Sequence, residues 1–159
     1  MLKFVERILI NMTSTYKQIQ LTNTTIQDVD INQFIPLGTT TRRINSPSNC
    51  CNTFVVTSSS NDAVVVNNPG FYKVTYSLTA TAAAAGEVTI GLVTNGTTVY
   101  SVTQAIVDET NAVNLTLVYT VRVCPNCNSA PDNVPVTIQI QNTGIALTGE
   151  TANLIIEKI

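Results

Sequence analysis

Apolar and polar residues alternate with a period of two along most of this chain. In the run Gly70-Phe71-Tyr72-Lys73-Val74-Thr75-Tyr76-Ser77-Leu78, the residues Tyr72, Val74, Tyr76 and Leu78 fall on one side, and Phe71, Lys73, Thr75 and Ser77 on the other. That pattern predicts a strand with one buried face, and Asn67-Asn68-Pro69-Gly70 ahead of it predicts a tight turn. Residues 79–85 are Thr and Ala, and alanine propensity alone favours a helix there. The even positions nevertheless continue the buried face with small side chains and Gly86 breaks the segment, so the strand is expected to run to about Ala82.

The same reading places strands at 54–57, 63–66, 88–92, 98–106, 134–140, 145–147 and 152–159. Asn95-Gly96 supplies the pair of positive-φ residues that a tight hairpin needs. Val113, Leu115, Leu117, Tyr119, Val121 and Val123 form the longest strict alternation. Residues 34–38 are expected to be an edge strand, because Pro36 lacks a backbone donor. Residues 13–34 carry scattered aliphatics and sustain neither period, so they are expected to be an extended arm. Altogether about eight to ten short strands with turn signals between them, and no convincing helix, predict an all-β antiparallel sandwich. The expected division is an N-terminal arm over residues 1–34 and a jelly-roll domain over residues 35–159. The last strand is apolar on both faces at Leu154, Ile155, Ile156 and Ile159. A strand with one wet face alternates, so its outer face is expected to be covered by another subunit.

Composition changes the picture in one respect. Hydrophobic residues make up 44% of the 159 residues but charged residues only 11%, against about 25% in ordinary domains. The polar surface is therefore built from Thr, Asn, Ser and Gln. Such a surface suits a rigid extracellular or virion protein, or one that hides much of itself in an oligomer. A net charge of −2 offers no basic field for nucleic acid. The apolar stretch 2–10 is interrupted by Glu6-Arg7 and is too short for a signal peptide, and no run approaches the ~18 apolar residues of a membrane span. Met12-Thr13-Ser14 reads as a second start, with Glu6-Arg7 at the place of a ribosome-binding site. On that reading residues 1–11 precede the native protein.

Candidate chemistry is sparse. The chain has no His, which removes the commonest general base. No phosphate loop, dinucleotide fingerprint or nucleophile elbow occurs. Asp108-Glu109 reads as a loop tip and Arg42-Arg43 as a solvated pair. Asp28-Val29-Asp30-Ile31-Asn32 opens like a calcium loop, but Gln33 stands where Gly is needed and Thr39 where the closing Glu is needed. The four cysteines are Cys50, Cys51, Cys124 and Cys127. Cys-Pro-Asn-Cys has the spacing of half a zinc site, yet only the adjacent Cys50 and Cys51 remain to complete it. Disulfides between the two pairs, a zinc ion, and free thiols are the three readings, and spacing does not choose among them. No other cofactor is implied. The sequons at Asn23, Asn95 and Asn114 matter only in a eukaryotic secretory route.

The stretch at 69–78 resembles the Gly-x-Tyr-x-Phe strand of the C1q/TNF-like jelly-roll superfamily, and Gly149, Leu154 and Ile156 are similar to that family's terminal Gly-x-x-x-x-Leu-x-Ile run. The resemblance covers residues 35–159. It implies a compact homotrimer with apolar and aromatic residues on the threefold axis, for which Tyr72, Tyr76 and Tyr119 are the candidates. The charge-poor, Thr/Asn-rich style resembles bacteriophage particle domains: head fibres, decoration proteins and tail-tip modules. That implies a non-enzymatic structural protein on the virion surface, attached to capsid or tail proteins by its N-terminal arm. The alternatives are a module binding a bacterial surface glycan or receptor through loops 58–62, 107–112 and 125–133, and a trimeric spore-coat domain. The absence of Trp, the usual sugar-stacking residue, and of a Gly-x-y stalk count against these two.

Overall fold

The computed structural model describes residues 16–44, 53–57, 61–109, 111–125 and 130–159, without the side chains of Ile26 and Ala130. Its strands are β1 (Gln18–Val29), β2 (Thr39–Ile44), β3 (Phe54–Val56), β4 (Ala63–Val66), β5 (Gly70–Ala82), β6 (Gly86–Thr94), β7 (Thr97–Ile106), β8 (Ala112–Val123), β9 (Val136–Asn142) and β10 (Leu147–Lys158). Among the described residues the only helical element is a single 3-10 turn, Ala130–Asp132. The strands form two five-stranded sheets, ordered β2-β1-β10-β5-β8 and β3-β4-β9-β6-β7, and every pairing between them is antiparallel. The chain is an all-β jelly-roll sandwich, as the alternation predicts.

The opening strand of the sequence argument, β5, lies between β10 and β8. Its inward residues Tyr72, Val74, Tyr76, Leu78, Ala80 and Ala82 are buried, and they meet the inward residues of the other sheet, among them Ile90, Leu92, Ile138 and Ile140. Phe54 on β3 meets Tyr72 edge to face, ring centres 5.9 Å apart at 82°. This contact joins the two layers in the geometry that aromatic quadrupoles favour. Asn95 and Gly96 have φ of 46° and 79°, and they close the β6–β7 hairpin at the pair Thr94↔Thr97.

Three expectations need correction. Residues 18–29, expected within the arm, form β1, an inner strand paired with both β10 and β2. Ile19, Leu21 and Val29 are buried as a strand's inner face should be. The period was hidden because the next inward position is polar: Asn23, 4% exposed. Register shifts follow at Asn23/Gln27 and Gln27/Val29, and the odd positions between Leu21 and Val29 are Asn23, Thr25 and Gln27, so no apolar residue marks the inner face there. The boundary at 35 therefore cuts through the sandwich. Residues 34–38 are not the first strand either. Phe34 makes one bridge to Gln141 and the Ile35 amide donates to the Ile140 carbonyl at 2.8 Å, so the segment crosses the end of β9. Finally, 145–147 and 152–159 belong largely to one strand, β10, whose ladder with β5 slips between Thr148 and Thr151.

Candidate functional site

The outer face of the first sheet spans five strands. Cross-strand register sets its rows. One row runs Arg42, Gln20, Ile155, Thr75, Val118 across all five strands, and the next runs Ile44, Gln18, Glu157, Lys73, Thr120. Val118 is 50% exposed and Ile155 half-buried. Around them stand Thr22, Ser77, Thr79, Thr116, Thr151 and Asn153. Many of these polar groups bond to one another: Gln20 Nε2 donates to Asn153 Oδ1 at 3.0 Å, the Thr22 hydroxyl to the same oxygen at 3.1 Å, and the Thr79 hydroxyl to Asn114 Oδ1 at 3.2 Å. The Lys73–Glu157 pair at 3.2 Å joins two of the charges on this face. Thr22, Ser77, Thr79, Thr151 and Asn153 also line a shallow, open depression of about 340 Å³.

At one end of the same face Tyr16, Phe71 and Ile159 are 51%, 52% and 67% exposed. The Ile159 amide donates to the Phe71 carbonyl at 3.0 Å, and Tyr16 reaches Glu157 at 3.5 Å. The first and last described residues thus lie together.

The three axis candidates separate. Tyr72 and Tyr76 are both 0% exposed inside a single sandwich, so neither has surface left to offer a threefold axis. Alternation identified a buried face correctly but does not say whether the cover is the other sheet or another chain. The Tyr72 hydroxyl donates to the Asn68 carbonyl at 2.8 Å, and burial pushes its phenol up to about 12. Tyr119 lies on the open edge of the sandwich, half-buried, stacked on Tyr100 with ring centres 5.3 Å apart. It alone of the three presents surface.

Among the cysteines, Cys124 follows β8 directly and is disulfide-bonded. Its amide donates to the Asp132 carbonyl at 2.9 Å. Cys50, Cys51 and Cys127 lie outside the described residues, as do parts of the loops 58–62, 107–112 and 125–133. Arg42 and Arg43 are exposed on β2.

A polar cluster lies inside the sandwich. Glu150 on β10 is fully buried, and among the described residues it is the one buried side chain of an acid or base with a carboxylate or cationic head. Its Oε2 accepts from Asn23 Nδ2 at 3.2 Å and from Gln27 Nε2 at 3.1 Å. Asn23 also donates to the Pro36 carbonyl at 3.3 Å. Glu150 Oε1 and the Tyr76 hydroxyl are buried without a partner among the described residues. Burial pushes the Glu150 carboxyl up to about 7, against the opposing pull of the Gln27 and Asn23 hydrogen bonds. Burial, then the Glu150 charge, raises the Tyr76 phenol well above its ordinary value. The signal in the sequence was parity: Glu150 stands two, four and six residues before the apolar Ala152, Leu154 and Ile156.

The architecture is that of the TNF/C1q-like jelly rolls. Among solved structures the chain is similar to the Eiger TNF of S. frugiperda, with a TM-score of 0.61 and 10% identity over 92% of this chain and 92% of that one. It is similar to the globular domain of the zebrafish complement 1qA protein, with a TM-score of 0.56 and 7% identity over 88% and 94%. It is also similar to the PRD1 vertex protein P5, with a TM-score of 0.57 and 14% identity over 90% and 96%. No family model and no curated protein matches the sequence. Among the described residues no helix is long and apolar enough to cross a membrane.

Proposed function

We propose that this protein is a non-enzymatic structural protein of a bacteriophage particle, a homotrimeric jelly roll displayed on the virion surface. The observation that carries the reading is the outer face of the first sheet. Its charges are Arg42, Lys73, Glu157 and Arg122, two of them paired with each other, and the rest is Thr, Ser, Asn and Gln with Ile155 and Val118 between them. Burying such a face against a second copy strips water from few charges, so the desolvation cost that usually opposes association is small. The half-covered Tyr100–Tyr119 stack on the neighbouring edge supplies a rigid aromatic contact. The likeness to a vertex protein favours a particle over the other settings in which the fold occurs.

Attachment falls to the residues ahead of β1, which enter the fold at Tyr16 beside the exposed Phe71 and Ile159. Light scattering of the purified chain is expected to give three times the chain mass. Val118→Asp, which alters an exposed side chain and leaves the core alone, is expected to yield folded monomer. A wild-type monomer overturns the trimer, and a trimeric Val118→Asp overturns the choice of face. Deleting residues 1–15 is expected to preserve the trimer and abolish binding to particles.

A further inference from the structure

The second half of β1 is held less firmly than the first. β2 covers β1 only from Gln18 to Thr22. Beyond that point β1 has β10 alone as a ladder neighbour, and residues 24–26 make no ladder pair with it. What replaces the missing ladder is side-chain chemistry. Asn23 and Gln27, at either end of the unpaired step, both reach the Glu150 carboxyl. Asn23 also accepts the Thr25 amide at 3.1 Å and binds the Pro36 carbonyl, so it holds the returning chain in place.

We propose that the Glu150–Asn23–Gln27 cluster is a proton-operated latch on the second half of β1, closed while the carboxyl is neutral and loosened when it ionises. With the proton on, the acid has a donor of its own as well as an acceptor for the β1 amides. With the proton off, a full negative charge sits in the core with one oxygen unpartnered. The neighbouring titratable groups do nothing to relieve it. Tyr76 on β5 is a neutral phenol whose own ionisation the carboxylate opposes. Asp28 on β1 is a second acid, engaged by the Gly149 amide at 3.3 Å. Among the described residues, the buried ones of the facing sheet are apolar except Thr53, Thr94 and Asn142, and no cation stands among them. The way to rehydrate the charge that breaks fewest ladder bonds is to let residues 23–29 swing off β10, since that segment has no second ladder strand and is otherwise tied by the side-chain bonds of Asn23 to the Pro36 carbonyl and of Asn142 to the Val29 carbonyl. The latch is a property of the single chain and holds whether or not the chain sits on a particle.

Hydrogen exchange of the full chain, corrected for the intrinsic pH dependence of exchange, tests this. Peptides spanning residues 23–29 are expected to lose about 10–100-fold of their protection between pH 5 and pH 8, while β5 and β8 keep theirs. In Glu150→Gln that loss is expected to vanish. Equal protection at both pH values in the wild type, or the same loss in Glu150→Gln, overturns the proposal. Should Glu150→Gln not fold, carboxyl NMR titration of the wild type decides: a Glu150 midpoint near 7 that moves with the β1 amides supports the latch, and a midpoint below 5 overturns it.

Discussion

Glu150→Gln is expected to raise the stability of the protein at pH 8 by roughly 3 kcal/mol and to flatten its stability profile between pH 4.5 and 7. The sign follows from the direction of the shift. In the unfolded chain the carboxyl titrates at its ordinary 4.5, and in the fold burial moves it up to about 7. Between those values the folded state holds more protons than the unfolded one, so wild-type stability falls as the pH rises through the window. Below 4.5 both states are neutral and the difference disappears. Above 7 both are ionised and the whole cost of burying the charge is present. Glutamine keeps the shape and an acceptor for Asn23 or Gln27 and never ionises. Chemical denaturation at pH 4, 6 and 8 measures the effect. A wild type whose stability is level across that range would remove the premise that the charge is buried uncompensated.

Gly144→Ala is expected to cost about 3 kcal/mol. Gly144 belongs to the turn between β9 and β10, which docks on the backbone of β6. The Thr143 amide donates to the Thr89 carbonyl at 2.8 Å, and the Ile145 amide to the Glu87 carbonyl at 3.0 Å. A methyl group on Gly144 meets the Glu87 carbonyl oxygen and the Thr89 nitrogen, and both belong to a strand inside a sheet. Neither can move without breaking the β6 ladder with β7 or β9. Thermal melting at fixed pH reads the cost directly, and an alanine variant with wild-type stability would mean that the turn stands off from β6. Gly96 is the control. Its φ is 79°, but nothing lies within 4 Å of an added methyl, so alanine there meets only backbone strain, about 1 kcal/mol.

These two positions also show how far the chain could be read without its structure. Gly144 was legible as part of a turn, because Asn142-Thr143-Gly144 interrupts two apolar runs. The reason it must be glycine was not, because the crowding strand lies more than fifty residues away in the chain. Glu150 was passed over for a related reason. A single acid in a strand sequence is ordinarily a solvent-facing residue, although Glu150 shares the parity of the buried Ala152, Leu154 and Ile156, and the slip between Thr148 and Thr151 changes the parity only for Leu147. The polar partner at Asn23 likewise masked β1 as an arm, since an inward asparagine looks like a broken period.

What the sequence by itself determined is the set of strands from β3 to β9, the sandwich class, the Asn95-Gly96 hairpin and the inward face of β5. Each depends on neighbours two residues apart or on the backbone freedom of one or two residues, and period-two alternation reports that directly. What only the tertiary structure decided is which buried faces cover each other. Tyr72 and Tyr76 are covered by the second sheet of their own chain, and β1 is an inner strand although its inward row turns polar halfway. Burial is a relation between segments far apart in the chain. A local pattern records that a side chain leaves water but not what it meets when it does.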